Sequence, residues 1–409
     1  MCFGQEHKDL SRPGLIALFF VELALLGVVS SLPYVYNQAV KKLGIILNLY
    51  QPVVQEEKKL REIAEKSYLP LIKIIKNRKE FRPTLNIPLG LLQQMDAYGY
   101  SSWIKDIKDL LEEDRVELVG SAAYNGVLSE IPEPLLTNQI VLNEYGAGYF
   151  LGRRSGFEGE SAVLVKGLEG FVAPGGFANQ EVLDLVGSLG YSWLLADPEV
   201  VGGSYGIFDL GAEKECRLLT YNKQLSNAIA EKSDLEINDI TPLVRESKDC
   251  VILLDAEIFG YKNKDGVYLL NQILDSLRDS GVQVLPAGEF LEIEVGESRM
   301  SQIDKVGWLP YVPNNKELWG LNQEILSILA EFLAKYPKLE VEGMENIPVW
   351  ANELPEEVRI PVIAAQLCDR SQFENEDLRH NFAALYSDLG KLHKEEKLAT
   401  LIKDIEAIL

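Results

Sequence analysis

Residues 171–197, FVAPGGFANQEVLDLVGSLGYSWLLAD, read as a strand, a sharp turn, a helix and a second strand. Units of this kind build a parallel sheet. In an α/β barrel the reactive groups sit in the loops at the carboxyl ends of the strands. Here that loop carries Pro174-Gly175-Gly176 and no acid, base or nucleophile.

The same alternation extends in both directions. LGIILNLY (43–50) reads as a buried strand, followed by a helix over 55–77, a strand and turn over 82–92, a helix over 101–114 and a strand over 115–121. Beyond the opening unit, 216–221 and 249–257 are strands, 267–281 is a helix closed by a glycine, and 282–292 is the last strand and turn. About seven such units predict a closed barrel. After residue 300 the pattern changes to helical stretches without strands, at 314–336, 354–369, 374–394 and 395–409. The expected domains are an N-terminal segment 1–42, a barrel over 43–300 and a helical part over 301–409.

Composition narrows the function. A formal net charge of −22 and the absence of a basic stripe exclude a nucleic-acid partner. Cys2, Cys216, Cys250 and Cys368 lie without C-x-x-C spacing, so neither a disulfide framework nor a zinc knuckle is expected, and a reducing, cytoplasmic setting fits. The three histidines, His7, His380 and His393, fall outside the alternating region, which removes histidine metal sites and Ser/His/Asp or Cys/His machinery from it. No metal and no cofactor are expected. One segment leaves the compartment open: 15–32, LIALFFVELALLGVVSSL, has membrane-spanning length, with Glu22 in its middle. It reads either as a signal or anchor, making the protein exported or membrane-tethered, or as a buried helix or a wrongly chosen start. A membrane partner is expected only if the run is an anchor.

The strand ends, taken together, resemble glycoside hydrolase family 57, the α-glucan-acting amylases and 4-α-glucanotransferases. Leu49-Tyr50-Gln51-Pro52 is similar to the family's H-Q-P, with Tyr50 for the histidine. VELVGSAAYNGVLSEIP (116–132) resembles the E-[IL]-x-x-S-x-x-Y-H-P-[IL]-L block, with Asn125 for its histidine. Gly170-Phe171-Val172-Ala173-Pro174-Gly175 is similar to G-x-W-x-P-E, with Val172 for the tryptophan and Gly175 for the nucleophilic glutamate. LLDAEIFGY (253–261) resembles D-x-E-x-F-G and keeps Asp255, Glu257, Phe259 and Gly260. YNKQLSNAIA (221–230) resembles a further segment of the family, with Tyr221 for an arginine and Asn227 for an aspartate.

The resemblance implies a (β/α)7 barrel followed by a C-terminal helical bundle, with Asp255 at the acid/base position. It also places Gly175 at the nucleophile position, which is therefore vacant. Retaining glycosidases need two carboxyl groups, one of which attacks the anomeric carbon, and glycine cannot attack. Tyr50, Gln51, Asn125, Glu257 and Phe259 are the candidate substrate-binding residues, each with a bland reading as an ordinary strand-end or turn residue. Trp308, Trp319 and Trp350 either stack on sugar faces or belong to the core. Two functions of different class stay open. One is a catalytically degenerate barrel that binds an α-glucan or related oligosaccharide or serves as a structural module. The other is an active hydrolase or glucanotransferase using Asp255 and Glu257 by a non-standard route.

Overall fold

The computed structural model describes residues 40–152, 168–210, 216–231, 237–296, 300–334 and 356–409. The apolar run 15–32 lies outside them, as do Cys2, His7 and Trp350. Among the described residues no helix is long and apolar enough to cross a membrane.

The organising element is β1 (Lys42–Asn48), KLGIILN, whose middle five residues are all buried. A strand buried on both faces needs neighbours on both edges, and β1 has them. On one side it pairs in parallel with β2 (Thr84–Asn86), and β2 with β3 (Glu117–Val119). On the other side it pairs in parallel with β8 (Cys250–Asp255), from Leu43↔Cys250 to Asn48↔Asp255. A parallel bridge between Gly120 and Phe171 carries the ring from β3 to β4 (Gly170–Val172). From there β4 pairs with β5 (Trp193–Ala196) and β5 with β7 (Arg217–Thr220), both in parallel. The Asn222 amide then donates to the Val251 carbonyl at 2.8 Å, which links the end of β7 to β8. Seven parallel strands thus close into the expected (β/α)7 barrel.

Among the described residues three strands lie outside the ring. A short β9 (Gln283–Leu285) pairs with the start of β1, β6 (Gly206–Asp209) is antiparallel to β7, and β10 (Met300–Gln302) is parallel to β6. The last two had no signal in the sequence reading. In the stretches read as a strand and turn over 82–92 and 282–292 the strands are three residues each, and helices Leu89–Ala97 and Ala287–Gly296 begin shortly after them. Helix Leu135–Leu151 was also missed. It is buried on nearly every side, so it lacks the apolar stripe on which periodicity depends.

That buried helix explains why the C-terminal helices do not stand apart from the barrel. Asn138 Nδ2 donates to the Pro361 carbonyl at 3.1 Å and Gln139 Nε2 to the Ala365 carbonyl, both into helix Glu356–Gln366. Lys41–Leu409 forms one compact unit.

The barrel interior leaves little spare space. A Cβ on Gly170 would lie 1.9 Å from Cζ2 of Trp193, which is 1% exposed in the neighbouring strand. Gly170→Ala should therefore lower the stability measured by denaturant unfolding by about 1–3 kcal/mol or more, the usual cost of overpacking. An unchanged midpoint would contradict the β4–β5 packing described here.

Candidate active site

Register builds the site. Because Asn48 stands level with Asp255 on one side and with Asn86 on the other, their side chains form a row across three strand ends. Asn86 Nδ2 donates to Asn48 Oδ1 at 2.9 Å, and Asn48 Nδ2 donates to Asp255 Oδ1 at 3.1 Å. Lys262 then holds the outer carboxylates, its Nζ lying 3.3 Å from Asp255 Oδ2 and 3.5 Å from Glu257 Oε2. Burial works against the Lys262 charge, but Asp255 and Glu257 outweigh it and raise its pKa. Burial raises the Glu257 carboxyl above the ordinary range, with Lys262 pulling the other way.

A departure from regular helix completes this wall. Between Glu57–Ile63 and Leu69–Asn77 the helix widens into a π-turn at Ala64–Tyr68, a feature that commonly marks functional sites. The turn puts Ser67 Oγ 2.6 Å from the Ala256 carbonyl and the Tyr68 hydroxyl 2.9 Å from Gln51 Nε2, which also donates to Glu257. Gly260 is needed at its φ of 120°, since a Cβ there would lie 1.9 Å from the Lys66 carbonyl oxygen.

The opposite wall comes from residues with no signal in the sequence. Asp369 is fully buried and accepts three hydrogen bonds, from the Tyr50 hydroxyl at 2.6 Å and from the amides of Val53 and Ser371 at 3.0 Å each. Burial raises its carboxyl pKa, and the three donors oppose that rise. Tyr50 is held high by burial and then by Asp369. Its hydroxyl is thus bonded to Asp369, and it serves as the tie between the β1 loop and the C-terminal helices.

Next along the chain, Arg370 Nη1 pairs with Glu374 Oε1 at 3.1 Å, and the guanidinium lies 5.7 Å from the Phe177 ring centre. It faces Gly175, whose φ of 63° and ψ of 7° place it in the left-handed region. A Cβ there would lie 2.8 Å from Arg370 Nη1 and 2.8 Å from the Phe177 ring. Any side chain at 175 would meet both backbone strain and these neighbours.

Between the walls lies a cleft of about 760 Å³, lined among others by Tyr50, Gln51, Asn125, Asp255, Glu257 and Arg370. Its floor drops into a cavity of about 20 Å³, room for one water, bordered by Ser121, Pro174 and Gly175. The strand ends carrying Tyr50, Ser121, Pro174 and Asp255 therefore meet at one end of the barrel. Asn125 borders both spaces in a left-handed conformation, with φ of 52°.

Phe259 is not brought to the cleft. It is 2% exposed and belongs to the core, because the Ala256–Ile258 turn points it inward. Trp319 packs between Tyr311 and Phe373, and Trp308 is exposed and does not line the cleft. Among the described residues no cluster of histidine, cysteine or acidic side chains is arranged to hold a metal. The cysteines Cys216, Cys250 and Cys368 are buried and free.

A ring of seven parallel strands with this cleft at its carboxyl end is the setting in which the comparisons fall. Residues 32–304 match the model of glycosyl hydrolase family 57. The chain belongs to that family. Among solved structures it is similar to the alpha-amylase AmyC of Thermotoga maritima, with a TM-score of 0.63 at 12% identity over 90% of this chain and 97% of that one. It is similar to the family 57 branching enzyme of Pyrococcus horikoshii, with a TM-score of 0.62 at 12% identity over 90% of this chain and 95% of that one. Against the 4-alpha-glucanotransferase of Thermococcus litoralis the TM-score is 0.58 at 16% identity, covering 86% of this chain and 58% of that one. This chain thus spans little more than half the length of the glucanotransferase. Identities this low speak for the fold alone. No curated protein matches the sequence.

The raised Glu257 carboxyl gives a signed prediction. The unfolded chain releases this proton in the ordinary carboxylate range, near 4.3, while the folded chain keeps it to higher pH. Glu257 therefore contributes stability below the ordinary value, which is lost as pH rises through the raised one. In Glu257→Gln that loss should be shallower in denaturant unfolding measured across the window. An identical pH slope would show that Glu257 is not the group concerned.

Proposed function

We propose that the cleft binds an α-glucan oligosaccharide and does not cleave it. The observation that carries this reading is the state of position 175. The family resemblance assigns the nucleophile there, and the residue is a left-handed glycine with Arg370 Nη1 2.8 Å from where its Cβ would stand. Without a group that can form the glycosyl-enzyme bond, Asp255 has no partner for the two-step retaining route. The choice of an α-glucan rests on the relatives, which by name are an alpha-amylase, a branching enzyme and a 4-alpha-glucanotransferase.

Direct attack by water, with Asp255 and Glu257 as acid and base, fits the geometry less well. An inverting pair must flank the scissile bond, with room for the sugar and water between the carboxyls. Here both carboxylates grip one ammonium, which occupies the space between them. Asp255, with its exposed carboxylate bonded to Asn48 and Lys262, is arranged as an acceptor for sugar hydroxyls.

Isothermal titration with maltoheptaose should give binding that weakens about five- to tenfold in Asp255→Ala, as expected for losing a hydrogen-bond acceptor worth about 1 kcal/mol. An aryl α-maltooligoside should release no phenol above the buffer rate. Steady release that is abolished by Asp255→Asn would overturn the non-cleaving reading in favour of an active hydrolase.

A further inference from the structure

Arg370 is a cleft residue whose hydrogen-bonding capacity the fold leaves largely unspent. A guanidinium carries five N–H donors in a planar fork suited to two oxygens at once. Here its ion-pair partner is Glu374, through Nη1 at 3.1 Å, and Nε is buried with no acceptor among the described residues. The side chain is 23% exposed, so it is neither freely solvated nor locked away.

The surroundings favour a charged acceptor. Gly175 presents no side chain beneath the guanidinium, and Phe177 covers one of its faces. Lys262 is shared between Asp255 and Glu257 on the far wall, and Glu374 pairs with Arg370 itself. Where the family resemblance places a carboxylate, this chain has a cation at the margin of an open cleft.

We propose that the cleft selects a saccharide bearing an oxyanion, a carboxylate or a phosphate, which seats on the Arg370 guanidinium. This rests on the reading of the cleft as a saccharide site and names the class of saccharide. The cleft also borders Glu376 and Asp377, which are exposed and oppose the approach of an anion. Exposed charges are screened over about 8 Å at physiological salt, whereas a charge-assisted hydrogen bond in a partly desolvated site is not. The short-range pairing therefore decides.

The test is isothermal titration of the full chain with maltotriose, maltotriose ending in glucuronate, maltotriose 6-phosphate and inorganic phosphate. One or both charged sugars should bind about tenfold or more tightly than maltotriose, the effect of one charge-assisted hydrogen bond, and the tighter one identifies the anion. Arg370→Gln should erase that preference, read as the ratio of each charged sugar's affinity to that of maltotriose for the same variant. Should Arg370→Gln fail to fold, Glu374→Gln, which frees the guanidinium, should instead tighten the charged sugars, and no tightening would overturn the proposal. Charged sugars no tighter than maltotriose would overturn it while leaving the saccharide cleft intact. Inorganic phosphate binding as tightly as the sugar phosphate would overturn it too, and no binding by any sugar would remove the cleft reading as well.

Discussion

The cleft depends on one buried carboxylate. Asp369 has no contact with solvent, and a carboxylate in that position is tolerated only when its oxygens are met by donors. Tyr50, Val53 and Ser371 supply them, two from the loop after β1 and one from the C-terminal helices. Because those donors come from segments more than 300 residues apart, satisfying the charge fixes the distance between the barrel mouth and the helical wall. Arg370 follows Asp369 directly in sequence, so the same constraint carries the guanidinium over Gly175.

A second constraint, the strand register, fixes the other wall. A one-residue slip of β8 against β1 would turn Asp255 from the cleft to the opposite face. The pairing Asn48↔Asp255 prevents this by a hydrogen bond at the strand end as well as by the buried ladder below it. Position 175 then lies across the cavity floor from this row, bordered by Asn48, Asn86 and Ser121. The family resemblance assigns a carboxylate to that position, and the backbone there has a left-handed conformation that a glycine holds without strain. Losing the nucleophile and gaining a cation beside its place are, on the reading proposed here, two parts of one change from cleavage to recognition.

Much of this was legible in the sequence because barrel strands announce themselves as short apolar runs with helices between them. Leu43, Phe171 and Val251 mark strands that any such reading finds, and the residues at their ends carried the family resemblance. What stayed hidden had physical reasons. Helix Leu135–Leu151 is buried all round and shows no stripe, and β6 and β10 are short strands outside the ring. Asp369 and Arg370 gave no local signal, since their roles arise from contacts with Tyr50, Val53 and Gly175, about 195 to 320 positions away and too distant for any spacing to reveal. Phe259 matched the family pattern yet packs inward, because the turn after Asp255 decides its direction and a motif does not. Tyr50 stands where the family pattern has a histidine, and its hydroxyl is bonded to Asp369.

The central claim is that a saccharide lies in this cleft beside Gly175 and stays whole. A crystal structure of the protein soaked with maltoheptaose tests it most directly. The prediction is continuous density for an uncleaved chain that contacts Asp255 and passes Gly175 without a covalent link. Density for shortened products, or for a sugar bonded to Asp255 or Glu257, would contradict it.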